Sequence, residues 1–133
     1  MKTILITGAT SGIGLAAAKK LANEKNQLIL CGRRQYKLDE IYEELSKSAN
    51  VLSLCYDVSD KNEVNRILND LPEEFRSIDI LINNAGNAHG LDTIQEGSIE
   101  DWDNMIDINV KGLLYVSRAI IPKMVEKKNG HVI

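Results

Sequence analysis

Three glycines, Gly8, Gly12 and Gly14, stand in G-x-x-x-G-x-G spacing where an apolar run gives way to a helical pattern. Glycines at a strand-to-helix turn can cradle a phosphate. The backbone turns tightly, main-chain N–H groups are reachable with no Cβ in the way, and the new helix N-terminus attracts an anion. A turn of this kind also serves conformation alone, and its spacing differs from the G-x-G-x-x-G dinucleotide fingerprint. It lacks the G-K-[ST] ending of an ATP-binding P-loop, which removes kinase and ATPase readings.

Arg33 and Arg34 follow the second apolar run. A dinucleotide fold keeps an acid roughly 20 residues beyond its glycines for the ribose 2′-hydroxyl, or an arginine nearby where a 2′-phosphate is present. Two guanidiniums and no acid point to NADP(H) over NAD(H), because guanidinium forks onto phosphate and carboxylate repels it. The same absence argues against a methyltransferase, which needs a ribose-binding acid there. The alternative is that both arginines merely start a solvated helix.

Asp57 and Val58 end the third run, where Asp57 could accept from an adenine amino group and Val58 line the base pocket; a cap or turn role is the alternative. Asn83-Asn84-Ala85-Gly86 ends the fourth run. Paired amides can pin neighbouring main chains and the small residues leave room for a ligand, although a plain Asn-Gly turn has the same letters. Asn109 lies on a line of apolar side chains, so its amide needs partners. Either it bonds to backbone in a structural network, or it helps hold a water or a lysine at a catalytic site.

The elements that must position these residues are legible from periodicity. Strand-length runs with little alternation recur at Thr3–Thr7, Gln27–Cys31, Val51–Tyr56, Asp79–Asn83 and His131–Ile133, as in strands covered on both faces. Helical stripes lie between them: Gly12–Glu24 with Ile13, Ala16, Ala17 and Leu21 inward, Gln35–Lys47 with Leu38, Ile41 and Leu45, and Asp60–Leu71 with Val64, Ile67, Leu68 and Leu71. Ser98–Glu126 reads as one long helix with Met105, Asn109, Leu113, Val116 and Ile120 on one line and Pro122 kinking it or loosening its last turn. Ser59 and Ser98 stand at helix N-cap positions. Alternating strands and helices predict an α/β fold, a doubly wound parallel sheet of Rossmann type with strand order 3-2-1-4-5. Its ligand crevice lies at the carboxyl ends of the strands, where all the residues singled out above fall.

Composition limits the remaining choices. With 133 residues, 44% hydrophobic and 26% charged, the chain has the make-up of a globular domain, and a net charge of -3 offers no basic face for nucleic acid or anionic membrane. No uncharged run approaches the roughly 20 residues of a membrane span, so a cytoplasmic location is the default. Cys31 and Cys55 show no metal-ligand spacing and read as reduced, small buried hydrophobes. His89 and His131 read as structural or solvent-facing, and no metal site is expected.

Taken together, T-G-x-x-x-G-I-G at Thr7–Gly14, Asp57-Val58, N-N-A-G at Asn83–Gly86 and N-V-K-G at Asn109–Gly112 resemble the short-chain dehydrogenase/reductase family, in register over the whole chain. Gly32-Arg33-Arg34-Gln35, Leu71-Pro72-Glu73-Glu74 and the run from Glu100 to Glu126 look like its NADP-dependent 3-hydroxy acid (serine) dehydrogenases. The resemblance implies an NADP(H)-dependent oxidoreductase acting on a small 3-hydroxy acid such as serine or allo-threonine, or on a related carbonyl compound. It implies that Gly8, Ala9, Thr10, Ser11, Gly12, Ile13 and Gly14 cradle the pyrophosphate and adenosine ribose, Arg33 and Arg34 the 2′-phosphate, and Asp57 and Val58 the adenine. Asn84, with Ala85 and Gly86, would contact the nicotinamide-side ribose. Asn109 would be the catalytic asparagine that holds a water behind the lysine. A homodimer or homotetramer through the helix of residues 98–126 is implied as well.

The sequence departs from that family in one respect. A serine after the fifth strand and a Y-x-x-x-K pair on the next helix carry the family's chemistry, and none of them is present here. Tyr36, Tyr42 and Tyr56 lie too early, and Tyr115 has Ala119 four positions on. Residues 1–133 therefore read as the N-terminal dinucleotide-binding part of a single Rossmann-type domain, truncated within the fifth strand and expected to bind cofactor without turning over substrate. The alternative is a non-catalytic NADP(H)-binding module or sensor.

Overall fold

The computed structural model describes residues 1–133. Five strands, β1 (Lys2–Ile6), β2 (Asn26–Gly32), β3 (Asn50–Cys55), β4 (Ile80–Ile82) and β5 (His131–Val132), form one parallel sheet of order β3-β2-β1-β4-β5. This is the predicted doubly wound Rossmann-type topology. Strand order reverses at β1, which pairs with β2 on one side (Ile6 opposite Leu30) and β4 on the other (Ile6 opposite Ile82).

Helices cover both faces because alternate strand residues are apolar in both directions. Ile4, Ile6, Leu28 and Leu30 pack under α1 (Gly12–Leu21) and α2 (Gln35–Leu45), together with Ala18, Leu38, Ile41 and Leu45. On the opposite face Leu5, Ile29 and Leu81 meet Val64 and Leu68 of α3 (Lys61–Asn69) and Val116, Ile120 and Met124 of α5 (Leu113–Glu126). Cys31 belongs to one layer and Cys55 to the other, and both are free thiols.

Three local expectations need correction. The inward face of α1 is Gly14 and Ala18; Ile13 is 81% exposed and Ala16 is also exposed. Close approach of Gly14 to the preceding turn sets that rotation. Asp60, in place of Ser59, caps α3, its Oδ1 accepting from the N–H groups of Asn62 and Glu63 at 3.1 Å each. The Ser59 hydroxyl is already committed, donating to Asp57 Oδ1 at 2.7 Å. Ser98 does cap its helix, accepting from Asp101 N–H at 3.3 Å.

The third correction bears on the site. The predicted single helix is α4 (Ile99–Ile106), a π-helical segment at Asp107–Gly112, then α5, which runs past Pro122 to Glu126. Wider i→i+5 turns rotate the helix face, so the expected stripe divides. Val116 and Ile120 enter the core, whereas Asn109 and Leu113 are exposed. Gly112 permits the close contact beneath the segment: a Cβ there would come within 2.6 Å of Val58 Cγ2.

Candidate functional site

The ends of β1 to β4 surround a cleft of about 590 Å³. Gly8, Thr10, Ser11, Gly12 and Ile13 form one wall, Arg33 and Arg34 a second, Asp57 and Val58 a third, and Asn84, Ala85 and Gly86 a fourth. The structure thus brings together most of the residues selected from the sequence. Ala9 and Gly14 do not line the cleft. Ala9 is fully buried beneath the turn, and Gly14 is buried where a Cβ would overlap the Gly8 carbonyl and Asn84 Nδ2. Cys31, Gly32, Tyr56, Asn87 and Ile108 also line it. Asn87 and Ile108 adjoin recognised motifs, but Cys31 and Tyr56 read as strand core and carry no signal of a site.

The glycine turn is held from behind. Thr7 Oγ1 accepts from the N–H groups of Asn84 at 3.0 Å and Ala85 at 2.9 Å, and Asn84 Nδ2 donates to the carbonyls of Thr7 at 3.2 Å and Gly8 at 3.0 Å. This reciprocal set ties the end of β4 to the end of β1. Gly8 and Gly12 take left-handed φ values of 63° and 56°. A Cβ on Gly8 would press against Ala85 backbone at 2.8 Å, whereas one on Gly12 would meet nothing within 4 Å. Gly12 therefore faces open space.

At the second wall, Arg34 Nη2 donates to Thr10 Oγ1 at 2.9 Å, and Arg33 Nη1 lies 3.8 Å from Asp57 Oδ2. The other Asp57 oxygen accepts from the Ser59 N–H at 2.9 Å as well as from its hydroxyl, a local turn that orients the carboxylate. Burial pushes the Cys31 thiol up to about 12, only partly offset by the nearby Tyr56 hydroxyl. Burial likewise raises the Tyr56 phenol well above its usual range, with the neighbouring Cys31 adding to the effect. Both stay neutral at physiological pH.

Asn109, on the π segment, does not line the cleft but bonds to Asn87, which does. Its Oδ1 accepts from Asn87 N–H and its Nδ2 donates to Asn87 C=O, each at 2.7 Å. The amide is exposed and bonded to backbone, in contrast to the buried position its apolar neighbours suggested.

A glycine-rich turn, guanidiniums at the next strand end and a paired-asparagine strand end converge on one crevice at the reversal of strand order. The sequence model of the short chain dehydrogenases matches residues 2–133. The chain belongs to the short-chain dehydrogenase family. It is 42% identical over 130 residues to an NADP-dependent 3-hydroxy acid dehydrogenase of Salmonella typhi, covering 98% of this chain and 52% of that protein. It is 44% identical over 127 residues to sulfoacetaldehyde reductase 2 of Chromohalobacter salexigens, covering 96% and 50%. The closed form of a serine dehydrogenase complexed with NADP+ superposes with a TM-score of 0.93 at 41% identity, covering 98% of this chain and 52% of that one. This short-chain dehydrogenase chain spans about half the length of the curated relatives it matches.

Proposed function

We propose that residues 1–133 are the NADP(H)-holding part of an oxidoreductase that acts on a small 3-hydroxy acid, such as serine or allo-threonine, or on a related carbonyl compound. The observation that carries this reading is the pair Arg33 and Arg34 at the end of β2, on the wall of the cleft that Gly12 opens. The fit to a phosphorylated dinucleotide rests on that open glycine and on the two guanidiniums beside it. The one carboxylate on the wall, Asp57, is engaged with Ser59 and Arg33. The names of the relatives, an NADP-dependent 3-hydroxy acid dehydrogenase and a serine dehydrogenase, support the substrate class.

Under this reading Gly8, Thr10, Ser11, Gly12 and Ile13 hold the pyrophosphate and adenosine ribose, and Ala9 and Gly14 shape the turn from behind. Arg33 and Arg34 hold the 2′-phosphate and Asp57 with Val58 the adenine. Asn84, Ala85 and Gly86 take the nicotinamide-side ribose, and Asn109, through its remaining lone pair and N–H, a water of the proton relay. Bound NADP(H) would supply or accept the hydride. The exposed apolar side chains Val110, Leu113 and Leu114 support self-association through residues 98–126.

Fluorescence titration of the full-length protein with NADPH and NADH tests the cofactor. NADPH is expected to bind at least about tenfold tighter, and Arg33→Ala/Arg34→Ala to abolish the difference; comparable wild-type affinities would refute it. Nicotinamide absorbance with NADP+ and L-serine or L-allo-threonine tests the substrate class, and no turnover with either would remove it.

A further inference from the structure

We propose that Thr10 is a positioning residue for cofactor selection: its hydroxyl holds the Arg34 guanidinium at the cleft wall, where a 2′-phosphate is read. This rests on the NADP(H) reading above. Thr10 is only 7% exposed, and its Oγ1 accepts from Arg34 Nη2 at 2.9 Å across 24 residues of chain.

Contacts fix the Thr10 side chain on both branches. The methyl lies over Gly32, where a Cβ would come within 2.5 Å of Thr10 Cγ2, so the bare Gly32 backbone makes the seat. The turn itself is anchored to the same strand end, because Ala9 N–H donates to the Cys31 carbonyl at 3.0 Å. The hydroxyl is thereby aimed at Arg34 by the fold.

The two arginines are held differently, and the difference has an electrostatic meaning. Arg33 lies 3.8 Å from a carboxylate, Asp57, with 59% of its side chain exposed, so part of its charge is answered within the protein. Arg34 is held by a neutral acceptor. A hydroxyl orients a guanidinium without neutralising it, which leaves the full charge for an incoming phosphate. Arginine has many rotamers to lose when it grips an anion, and holding it in advance removes part of that cost. NADH lacks the 2′-phosphate that would draw on the free charge of Arg34, so the advantage falls mainly to the phosphorylated nucleotide.

The test is a set of NADPH and NADH titrations on the full-length protein, comparing wild type, Thr10→Val, Thr10→Ser, Arg34→Met and the Thr10→Val/Arg34→Met double variant. Thr10→Val is expected to lower the preference for NADPH over NADH by about three- to tenfold, Thr10→Ser to retain it, and Thr10→Val to add nothing once Arg34 is gone. Should the valine variant fail to fold, Thr10→Ala, which adds no bulk, gives the same readings. Equal weakening toward both nucleotides overturns the proposal, since a hydroxyl that merely shaped the turn would do that. An undiminished effect in the Arg34→Met background also overturns it, because the hydroxyl would then act on its own. A wild-type preference that survives Thr10→Val defeats this inference alone. A wild type that takes both nucleotides equally defeats the NADP(H) reading and this inference with it.

Discussion

The Asn109 side chain grips the backbone of Asn87 from both sides, accepting from its N–H and donating to its carbonyl at 2.7 Å each. The pairing copies the two-bond exchange of neighbouring strands, with a side-chain amide in place of one strand. It joins the π segment to the chain leaving β4 across 22 residues. A Cβ on Gly86 would come within 3.0 Å of Asn109 Oδ1, so the preceding glycine makes room for the grip.

Asn109→Asp keeps the acceptor but sets a carboxylate oxygen against the Asn87 carbonyl. The expected result is faster amide hydrogen exchange at Asn87 and its neighbours, with a global loss of only about 1 kcal/mol because the site is exposed. Unchanged exchange there would show that the grip does not order the loop.

Gly12 and Gly14 are predicted to part company on substitution. Gly14→Ala drives a methyl into the Gly8 carbonyl and the Asn84 amide, and a loss of about 3 kcal/mol or more in a denaturant titration is expected. Gly12→Ala meets no atom within 4 Å and bears only the strain of φ 56°, about 1 kcal/mol. Its methyl enters the cleft, so nucleotide affinity should fall at least about tenfold. Intact binding by Gly12→Ala would remove this glycine from the phosphate site.

Asp79, just before β4, is expected to contribute to acid sensitivity. Burial pushes its carboxyl up, but the Thr3 N–H at 2.9 Å and Lys127 Nζ at 3.0 Å more than offset this and hold it below the usual range. A carboxylate with a lowered native pKa contributes stability that is complete above the unfolded value, about 3.9, and is lost as pH falls through the native one. Asp79→Asn should therefore lower the melting temperature at pH 7 and flatten its decline below about pH 4. Parallel acid limbs for the two proteins would show that Asp79 is not responsible.

Lys128 follows α5 with a left-handed φ of 53°, a position that favours glycine. Lys128→Gly should stabilise the chain by about 0.5–1 kcal/mol, read as a raised denaturation midpoint at unchanged slope. A lowered midpoint would mean that glycine's extra freedom in the unfolded chain outweighs the relieved strain.

Much of this arrangement was legible before any coordinates because buried parallel strands leave unbroken apolar runs whose polar ends mark the crevice. Arg33, Arg34, Asp57 and Asn84 could be picked out on that ground alone. The π segment could not: Gly112 within it packs against Val58, 54 positions away, and periodicity within 98–126 holds no trace of that contact. The inward face of α1 was misjudged for a related reason. Hydrophobicity favoured Ile13, but close packing against Gly8 and Asn84 turned Gly14 inward. Ser59 and Asp60 are both good capping residues, and only the bond from Ser59 to Asp57 decides between them.

The partners that immobilise the glycine turn have a consequence for the order in which the protein assembles. β1 can pair with β2 as soon as residue 32 is available, yet the Asn84 amide that clasps the Gly8 carbonyl lies 76 residues away. Loops of that span close slowly relative to local ones. The glycine turn is therefore among the last parts of the crevice to acquire its shape, and a nascent chain that has not yet reached β4 has this turn without the amide that holds it.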